Sequence, residues 1–185
     1  DAVGMLRTCV AAAKLHGQVS IFLEPIALYM TKDLHHEKDG LWSFPYPDAD
    51  HSIDVGRARI HTEGDDLTIL SYGNGLWMSL RVAKRLEATG KTVHVVDLRW
   101  LNPLPISDIV LAAKKTNRVL IVDECRTTGG MAEGVMTALV EGCPEVQMSR
   151  VAAVDCYIPL GAAANLVLVQ EDAIETAALA LMETT

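Results

Sequence analysis

The segment Asp66–Gly75 limits the fold more than any other stretch of this 185-residue chain. Its first part, Leu67–Tyr72, is a near-continuous run of strand-forming residues, and the turn Gly73-Asn74-Gly75 follows directly. After the turn, apolar residues recur at helical spacing at positions 76, 80, 83 and 86. A buried strand, a glycine turn and a helix form the opening half of a βαβ unit, which predicts a parallel sheet.

The same alternation continues towards the C-terminus. Strands are predicted at 92–96, 118–122 and 146–154, with a helix after each one. Gly90 is predicted to end the helix that follows the glycine turn, and Ser107 to cap the helix after the strand at 92–96. We therefore predict an α/β fold with a three-layer, open, mostly parallel sheet and right-handed crossovers.

The first 65 residues follow a different pattern. Asp1 is predicted to cap a helix that Gly17 ends, and Val19–Leu23 is predicted to form a short buried strand. The apolar face of that helix comprises Met5, Leu6, Cys9, Val10 and Ala13. Periodicity then disappears between residues 30 and 65, which indicates a functional loop or an interdomain connection with an extended strand over 53–60.

Bulk composition excludes several classes of function. A net charge of −8 and a pI near 5.2 argue against nonspecific binding to nucleic acid, which needs a basic face. No apolar run approaches the roughly 20 residues of a membrane span, so a soluble protein is expected. The four scattered cysteines lack a CxxC pair, which favours free thiols over a zinc site or a disulfide framework.

The turn Gly73-Asn74-Gly75 is the first candidate site. A glycine turn between a strand and a helix exposes N–H groups at the positive helix end, where a phosphate or carboxylate can bind. The dinucleotide fingerprint is not met, because a third glycine is missing. Anion binding and a plain tight turn both remain open.

The carboxyl ends of the predicted strands form the second candidate site. Since parallel strands end at one edge of a sheet, charged residues that follow them should line that edge. These residues are Asp97, Arg99, Asp123, Glu124, Arg126 and Asp155. They could bind magnesium, pair acid with arginine, or face a partner; the absence of acidic residues after the first strand disfavours magnesium.

Histidines form the third candidate. His35 and His36 lie close to Asp33, Glu37 and Asp39, so a chelated metal and a solvated loop are both compatible with this pattern. No serine or cysteine has an evident base beside it. From the residues alone, the prediction is an α/β domain with a ligand or partner edge.

Five motifs occur together and in order. They are EP-x-x-LY at Glu24–Tyr29, VG-x-A at Val55–Ala58, EG-x-DLTILSYG at Glu63–Gly73, VDLRWLNPLP at Val96–Pro105 and RVLIVDE-x-x-x-TGG at Arg118–Gly130. In these motifs the chain resembles the C-terminal half of the beta subunit of thiamine-diphosphate-dependent 2-oxo acid dehydrogenases. The resemblance implies that residues 1–50 are the tail of a pyrimidine-binding domain, 51–64 a linker and 65–185 a transketolase C-terminal domain.

The resemblance also implies what this chain lacks. In the family, thiamine diphosphate and magnesium are bound by the alpha subunit and by beta-subunit residues that would precede Asp1. No catalytic, cofactor-binding or metal-binding residue is therefore expected here, and the chain is expected to be inert by itself. The first residue is not methionine, and the chain is expected to be a piece of a longer protein.

The resemblance to this family further implies that the chain takes part in assembling a multienzyme complex. Expected partners are the alpha subunit or an alpha-like region, a second beta subunit and the basic subunit-binding domain of the acyltransferase core. Asp155 occupies the family position for the last contact, with Asp123, Glu124 and Arg99 on the same rim; a turn aspartate is the alternative for Asp155. The expected location is the bacterial cytoplasm or the mitochondrial matrix.

Two other functions remain open. The chain could be the C-terminal part of a transketolase or deoxyxylulose-phosphate synthase type enzyme, since these carry the same domain after the pyrimidine domain. It could also be a stand-alone α/β module that binds a nucleotide or anion at Gly73–Gly75.

Overall fold

A computed structural model describes residues 1–183. Its elements, in chain order, are α1 (Ala2–His16), β1 (Arg59–Thr62), β2 (Leu67–Ser71), α2 (Gly73–Glu87), β3 (Val93–Asp97), α3 (Ile106–Thr116), β4 (Arg118–Arg126), α4 (Met131–Gly142), β5 (Gln147–Ala153) and α5 (Glu171–Glu183). Short 3₁₀ turns cover Ile26–Leu28 and Gly161–Leu166. Among the described helices, none is long and apolar enough to cross a membrane.

The five strands form one sheet in the order β1-β3-β2-β4-β5. β3, β2, β4 and β5 are parallel, and β1 joins the edge of β3 in the antiparallel direction. All five residues of β2 are buried because this strand lies at the centre of the sheet with a helical layer on each face. The prediction of a mostly parallel three-layer sheet is confirmed.

Side chains that alternate along the strands build two separate cores. Leu67 and Ile69 point to the layer of α2 and α5, whereas Leu70 points to the layer of α3 and α4. The chain runs from β2 to β3 on one side and then crosses over to β4 on the other side of β2. This reversal puts the topological switch point of the sheet at the carboxyl ends of β2 and β4, the position at which open α/β sheets bind their ligands.

Some predicted boundaries in this sheet were wrong. β4 continues to Arg126 instead of ending at residue 122, because it pairs with β5 through an irregular register as far as Arg126 and Ala153. Ser107 does not cap α3, since Pro105 occupies the N-cap position and its carbonyl accepts the N–H of Ile109. α2 ends at Glu87, and Gly90 adopts a left-handed conformation three residues later.

The N-terminal region departs further from the prediction. α1 forms and Gly17 ends it in a left-handed conformation, as expected, but Asp1 makes no side-chain cap and Gly4 is the only buried residue of the helix. The predicted strand Val19–Leu23 does not form. The three side chains Val19, Ile21 and Leu23 are 71–90% exposed, because no strand within residues 1–183 pairs with this segment.

The long aperiodic region contains turns and a single edge strand. Residues 31–58 carry neither helix nor strand, in agreement with the loss of periodicity. The extended segment predicted for 53–60 is displaced towards the C-terminus, and β1 begins at Arg59 because its pairing partner is the carboxyl-terminal half of β3.

Candidate functional site

Asp123 connects three elements at the carboxyl ends of β2 and β4. Its side chain is 1% exposed. One carboxylate oxygen accepts hydrogen bonds from the Tyr72 hydroxyl at 2.6 Å and the Cys125 N–H at 2.9 Å, and the other accepts from the Ala132 N–H at 2.7 Å. Burial, together with this hydrogen bond, raises the pKa of Tyr72. Asp123 thereby fixes the end of β2, the end of β4 and the start of α4.

The Glu124 side chain, from β4, lies against the glycine turn at the start of α2. Its carboxylate accepts hydrogen bonds from the backbone and side chain of Asn74, while burial raises its pKa. Gly73 has a φ of 53°, and a Cβ atom at this position would collide with the Glu124 carboxylate. The backbone position predicted to bind an anion is therefore engaged by a carboxylate of the same chain, which an external anion would have to displace.

Asp155 lies on the outer side of this edge and is exposed. It accepts hydrogen bonds from the hydroxyl and the N–H of Thr128, the latter at 2.8 Å. These bonds, the hydroxyl one first, lower the pKa of Asp155, so its carboxylate is charged at neutral pH. The same loop is held by Arg126, whose Nε donates to the Thr128 carbonyl at 2.9 Å, and by Arg150 at the Thr127 carbonyl.

Arg99 is engaged at the opposite end of the edge. Its guanidinium binds the Asp1 carboxylate, with Nη2 and Nε at 2.6 and 2.9 Å from Oδ2. Only its backbone N–H reaches Asp97, at 2.9 Å. Burial raises the pKa of Asp97, and His61 lies nearby, with Nε2 3.9 Å from the Asp97 carboxylate.

Four of the charged residues predicted to line the carboxyl edge of the sheet therefore share that edge but belong to different hydrogen-bond networks. Arg99 lies at β3, Asp123 and Glu124 at β4, and Asp155 beyond β5. Of these four residues, Asp155 is the acid that remains exposed to a partner.

Several residues of these networks were missed by sequence reasoning. Asp1, Arg59 and His61 meet Arg99 and Asp97 across 36 or more positions, so no local spacing signals their contact. Tyr72 lies inside one of the five sequence motifs, but nothing in the local sequence indicates that its hydroxyl binds the buried Asp123.

The described part of the chain has no cluster of side chains that supports the predicted alternative of a metal site. Residues 1–183 contain no group of three or more His, Cys, Asp or Glu side chains that could hold a metal ion. Beside His35 and His36, Asp39 uses both carboxylate oxygens to accept backbone N–H groups of residues 34, 35, 36 and 41. This loop is a hydrogen-bonded turn.

Comparison with known proteins shows that this chain is similar in sequence to beta subunits of one enzyme component. The beta subunit of the pyruvate dehydrogenase E1 component from Staphylococcus epidermidis is 36% identical over 135 residues, which cover 71% of this chain and 42% of that protein. The corresponding Staphylococcus aureus subunit is 35% identical over the same length. The chain thus spans less than half of these curated relatives.

Solved structures extend the comparison to the fold. A split-gene transketolase, described as an inactive beta4 tetramer, superposes with a TM-score of 0.65 and 27% identity, covering 73% of this chain and 44% of that one. A 2-oxoglutarate:ferredoxin oxidoreductase from Magnetococcus marinus, at 14% identity and a TM-score of 0.50 over 69% of this chain and 20% of that one, shares the fold.

A family model connects these similarities. The model of the transketolase C-terminal domain matches residues 56–174, which contain the whole sheet and four of its motifs in part or in full. The resemblance of the sequence to the beta subunits of 2-oxo acid dehydrogenases is confirmed by the two Staphylococcus relatives. The chain belongs to the family of the transketolase C-terminal domain.

Proposed function

We propose that this chain is the assembly and partner-docking portion of the beta subunit of a thiamine-diphosphate-dependent 2-oxo acid dehydrogenase. The observation that carries the proposal is the 36% identity to a pyruvate dehydrogenase E1 beta subunit over 135 residues. In the parent complex, a 2-oxo acid would be decarboxylated and the acyl group transferred to lipoyl groups.

Two observations on residues 1–183 support a location of the thiamine diphosphate and magnesium site outside this chain. The described residues offer no metal-binding group of side chains, and the helix N-terminus at Asn74 is engaged by Glu124. The cofactor and its metal would be held by the alpha subunit, or an alpha-like region, and by the remainder of the beta subunit. The contribution of this chain is then structural, and the isolated chain has no turnover.

Activity measurements on the parent beta subunit test this assignment. Assembled with its alpha subunit, the parent should decarboxylate a 2-oxo acid and acylate lipoamide only when thiamine diphosphate and magnesium are supplied. Residues 1–185 alone should give no product under the same conditions. Product formation by the isolated chain would contradict the proposal.

Docking to the acyltransferase core is proposed to depend on Asp155. Its exposed and ionised carboxylate suits a basic partner, which electrostatic attraction would also steer. Asp123 is buried, Glu124 is half-buried and Arg99 is paired with Asp1. These three residues would support the shape of the edge, and Asp155 would make the direct contact.

Calorimetry with the subunit-binding domain of the acyltransferase tests the contact. Asp155→Asn should weaken binding about tenfold, as expected for one lost charge pair at an interface. Asp172→Asn, which removes an equally exposed carboxylate at the start of α5, serves as the control and should leave the affinity unchanged. Equal affinities of all three proteins would contradict a role for Asp155.

A transketolase is the second candidate, favoured by the split-gene transketolase at 27% identity. The acceptor distinguishes the two reactions: ketol transfer to an aldose, without lipoamide acylation, would identify the parent as a transketolase type enzyme. A stand-alone module would instead bind nucleotides at micromolar concentration and ignore the subunit-binding domain.

The relatives also support a proposal for where the chain is located in the cell and for a contact between two beta subunits. Both beta-subunit relatives are bacterial, which supports the bacterial cytoplasm and gives no support to the mitochondrial matrix. The split-gene transketolase is described as a beta4 tetramer, which supports a contact between two beta subunits here.

A further inference from the structure

We propose that Asp1, Arg59 and Arg99 form an ionic latch that holds α1 against the carboxyl end of β3. The latch would set the angle at which α1 and residues 48–53 lie against the sheet. This inference rests on contacts within the described chain and does not depend on the proposed function.

α1 has few other means of attachment. Gly4 is its only buried residue. The Arg7 guanidinium lies over the Tyr46 ring, 5.7 Å from its centroid. Other contacts of α1 go to the segment 48–53, where the Thr8 hydroxyl donates to the Ile53 carbonyl at 2.8 Å and an Arg7 guanidinium nitrogen donates to the His51 carbonyl at 3.1 Å. α1 and residues 48–53 therefore form one unit, and its attachment to the sheet has to come from elsewhere.

The chain between this unit and the sheet provides a pivot. Gly56 has a φ of 72°, a backbone conformation that glycine adopts freely. Directly after it, the chain is fixed to α3, because the Asp108 carboxylate accepts the Ala58 N–H and the Arg57 Nε, each at 2.9 Å. The angle of the unit can thus change about Gly56, within the limits set by the anchored loop over residues 31–42, unless a further contact restrains it.

The latch supplies that further contact. The Asp1 carboxylate lies 2.6 Å from the nearest Arg99 nitrogen and 2.9 Å from Arg59 Nη1. Side-chain exposure is 23% for Asp1, 13% for Arg99 and 34% for Arg59. Two guanidinium groups on one partly buried carboxylate interact more strongly than an exposed ion pair, because water screens them less.

The surroundings of Arg99 hold it in position. Arg99 has a φ of 57°, which is unusual for a residue with a side chain, and its N–H donates to the Asp97 carboxylate at 2.9 Å. Arg59 is placed by the Phe44 ring, whose centroid is 5.6 Å from the guanidinium carbon. Arg99 and Arg59 are therefore each held by a contact that does not involve Asp1.

Charged groups of both signs surround the latch. The carboxylates of Asp1 and Asp97 face Arg59, Arg99 and the α-amino group of Asp1. His61, in β1, is neutral at pH 7, since burial, Arg59, Arg99 and the α-amino group lower its pKa to about 4. Protonation of His61 would add a further positive charge beside the two arginines. Acid should therefore open the latch, and salt should weaken it.

Hydrogen exchange of the full chain, read by mass spectrometry, tests the latch. In Asp1→Asn and in Arg59→Gln, peptides from α1 and from residues 48–53 should exchange about tenfold faster, while peptides from β2 to β5 stay within twofold. Glu87→Gln breaks the exposed pair of Glu87 with Lys84 on α2 and serves as the control, with no change at α1. Raising NaCl from 0.05 to 0.5 M should accelerate exchange of α1 in the wild type and not in Asp1→Asn.

Two results would overturn the proposal. If α1 exchanges at the wild-type rate in both latch variants, another contact holds the helix. If all peptides accelerate by the same factor, Asp1 contributes to global stability and does not control the angle of the N-terminal unit.

Discussion

Acidic residues at the strand ends of this sheet have the same chemistry but different surroundings. Asp123 and Glu124 are neighbours in sequence, yet alternation along β4 sends Asp123 towards α4 and Glu124 towards the start of α2. Asp155 follows the next strand and stays exposed. The edge on which these residues lie could be predicted from strand order in the sequence. Their partners could not, because each partner comes from another element.

Loss of the Asp123 carboxylate should strongly destabilise the domain. Asp123→Ala leaves three donors without this acceptor, namely the partly buried Tyr72 hydroxyl, the Cys125 N–H and the buried Ala132 N–H. We expect a loss of about 2–4 kcal/mol in the free energy of unfolding, measured by urea denaturation. Tyr72→Phe removes a single donor and should cost about 1 kcal/mol. Equal losses in the two variants would show that Asp123 acts through Tyr72 alone.

His61 should make stability depend on pH. Its pKa is about 4 in the folded chain and 6.5 in the unfolded chain, so the unfolded state binds more protons between these values. Stability should therefore fall as pH falls from 7 to 4, by up to about 3 kcal/mol. The raised pKa of Asp97 acts in the opposite direction.

The variant His61→Gln separates the two contributions. It removes the titrating ring but retains Asp97, so urea denaturation between pH 4 and 7 should show a flatter dependence than in the wild type. A profile parallel to that of the wild type would show that His61 does not retain its lowered pKa.

At the scale of elements, prediction succeeded where local pattern and tertiary context agree. β2, β3 and β5 were located to within one residue at each end because apolar runs between glycine-rich or polar turns leave few alternatives. It failed for Val19–Leu23, whose sequence is equally strand-like, because a strand depends on a neighbour that these residues lack. The extension of β4 to Arg126 likewise depends on β5 and not on local sequence.

The loop over residues 31–42 is ordered without helix or strand. Asp39 and Asp33 together accept six backbone N–H bonds, from residues 34, 35, 36, 38, 40 and 41. Leu34 packs into the core formed by α2 and α5, and its carbonyl accepts a hydrogen bond from Arg81 at 2.6 Å. The loop is therefore attached to the sheet domain, although it lies 25 or more residues before β2 in sequence.

Truncation of Leu34 should measure this attachment. Leu34 is 8% exposed, so Leu34→Ala should lower the free energy of unfolding by about 2–3 kcal/mol. Leu41, in the same loop, is 53% exposed, and Leu41→Ala should change it by no more than about 0.5 kcal/mol. If both variants unfold at the wild-type urea concentration, the loop does not belong to the cooperative unit of the sheet domain.

The whole molecule divides into a region that covers its own apolar surface and regions that do not. The sheet carries a core on each face, closed by paired helices. Outside it, large apolar side chains are exposed in two segments. The first comprises Val19, Ile21, Leu23, Ile26 and Met30, and the second comprises Tyr157, Ile158, Leu160 and Leu166. Contiguous exposed apolar surface of this kind is uncommon in a monomer.

This exposure predicts that the isolated chain self-associates and binds hydrophobic dyes. Val19→Ser combined with Ile21→Ser should reduce the fluorescence of the dye ANS by about half and shift sedimentation towards the monomer, because both side chains are at least 85% exposed. Val119→Ser changes the same kind of residue inside the core, where exposure is 0%; it should lower stability by about 1–3 kcal/mol and leave or raise dye binding. Unchanged ANS fluorescence and sedimentation in the double variant would show that the segment around Val19 is covered in solution by the chain itself.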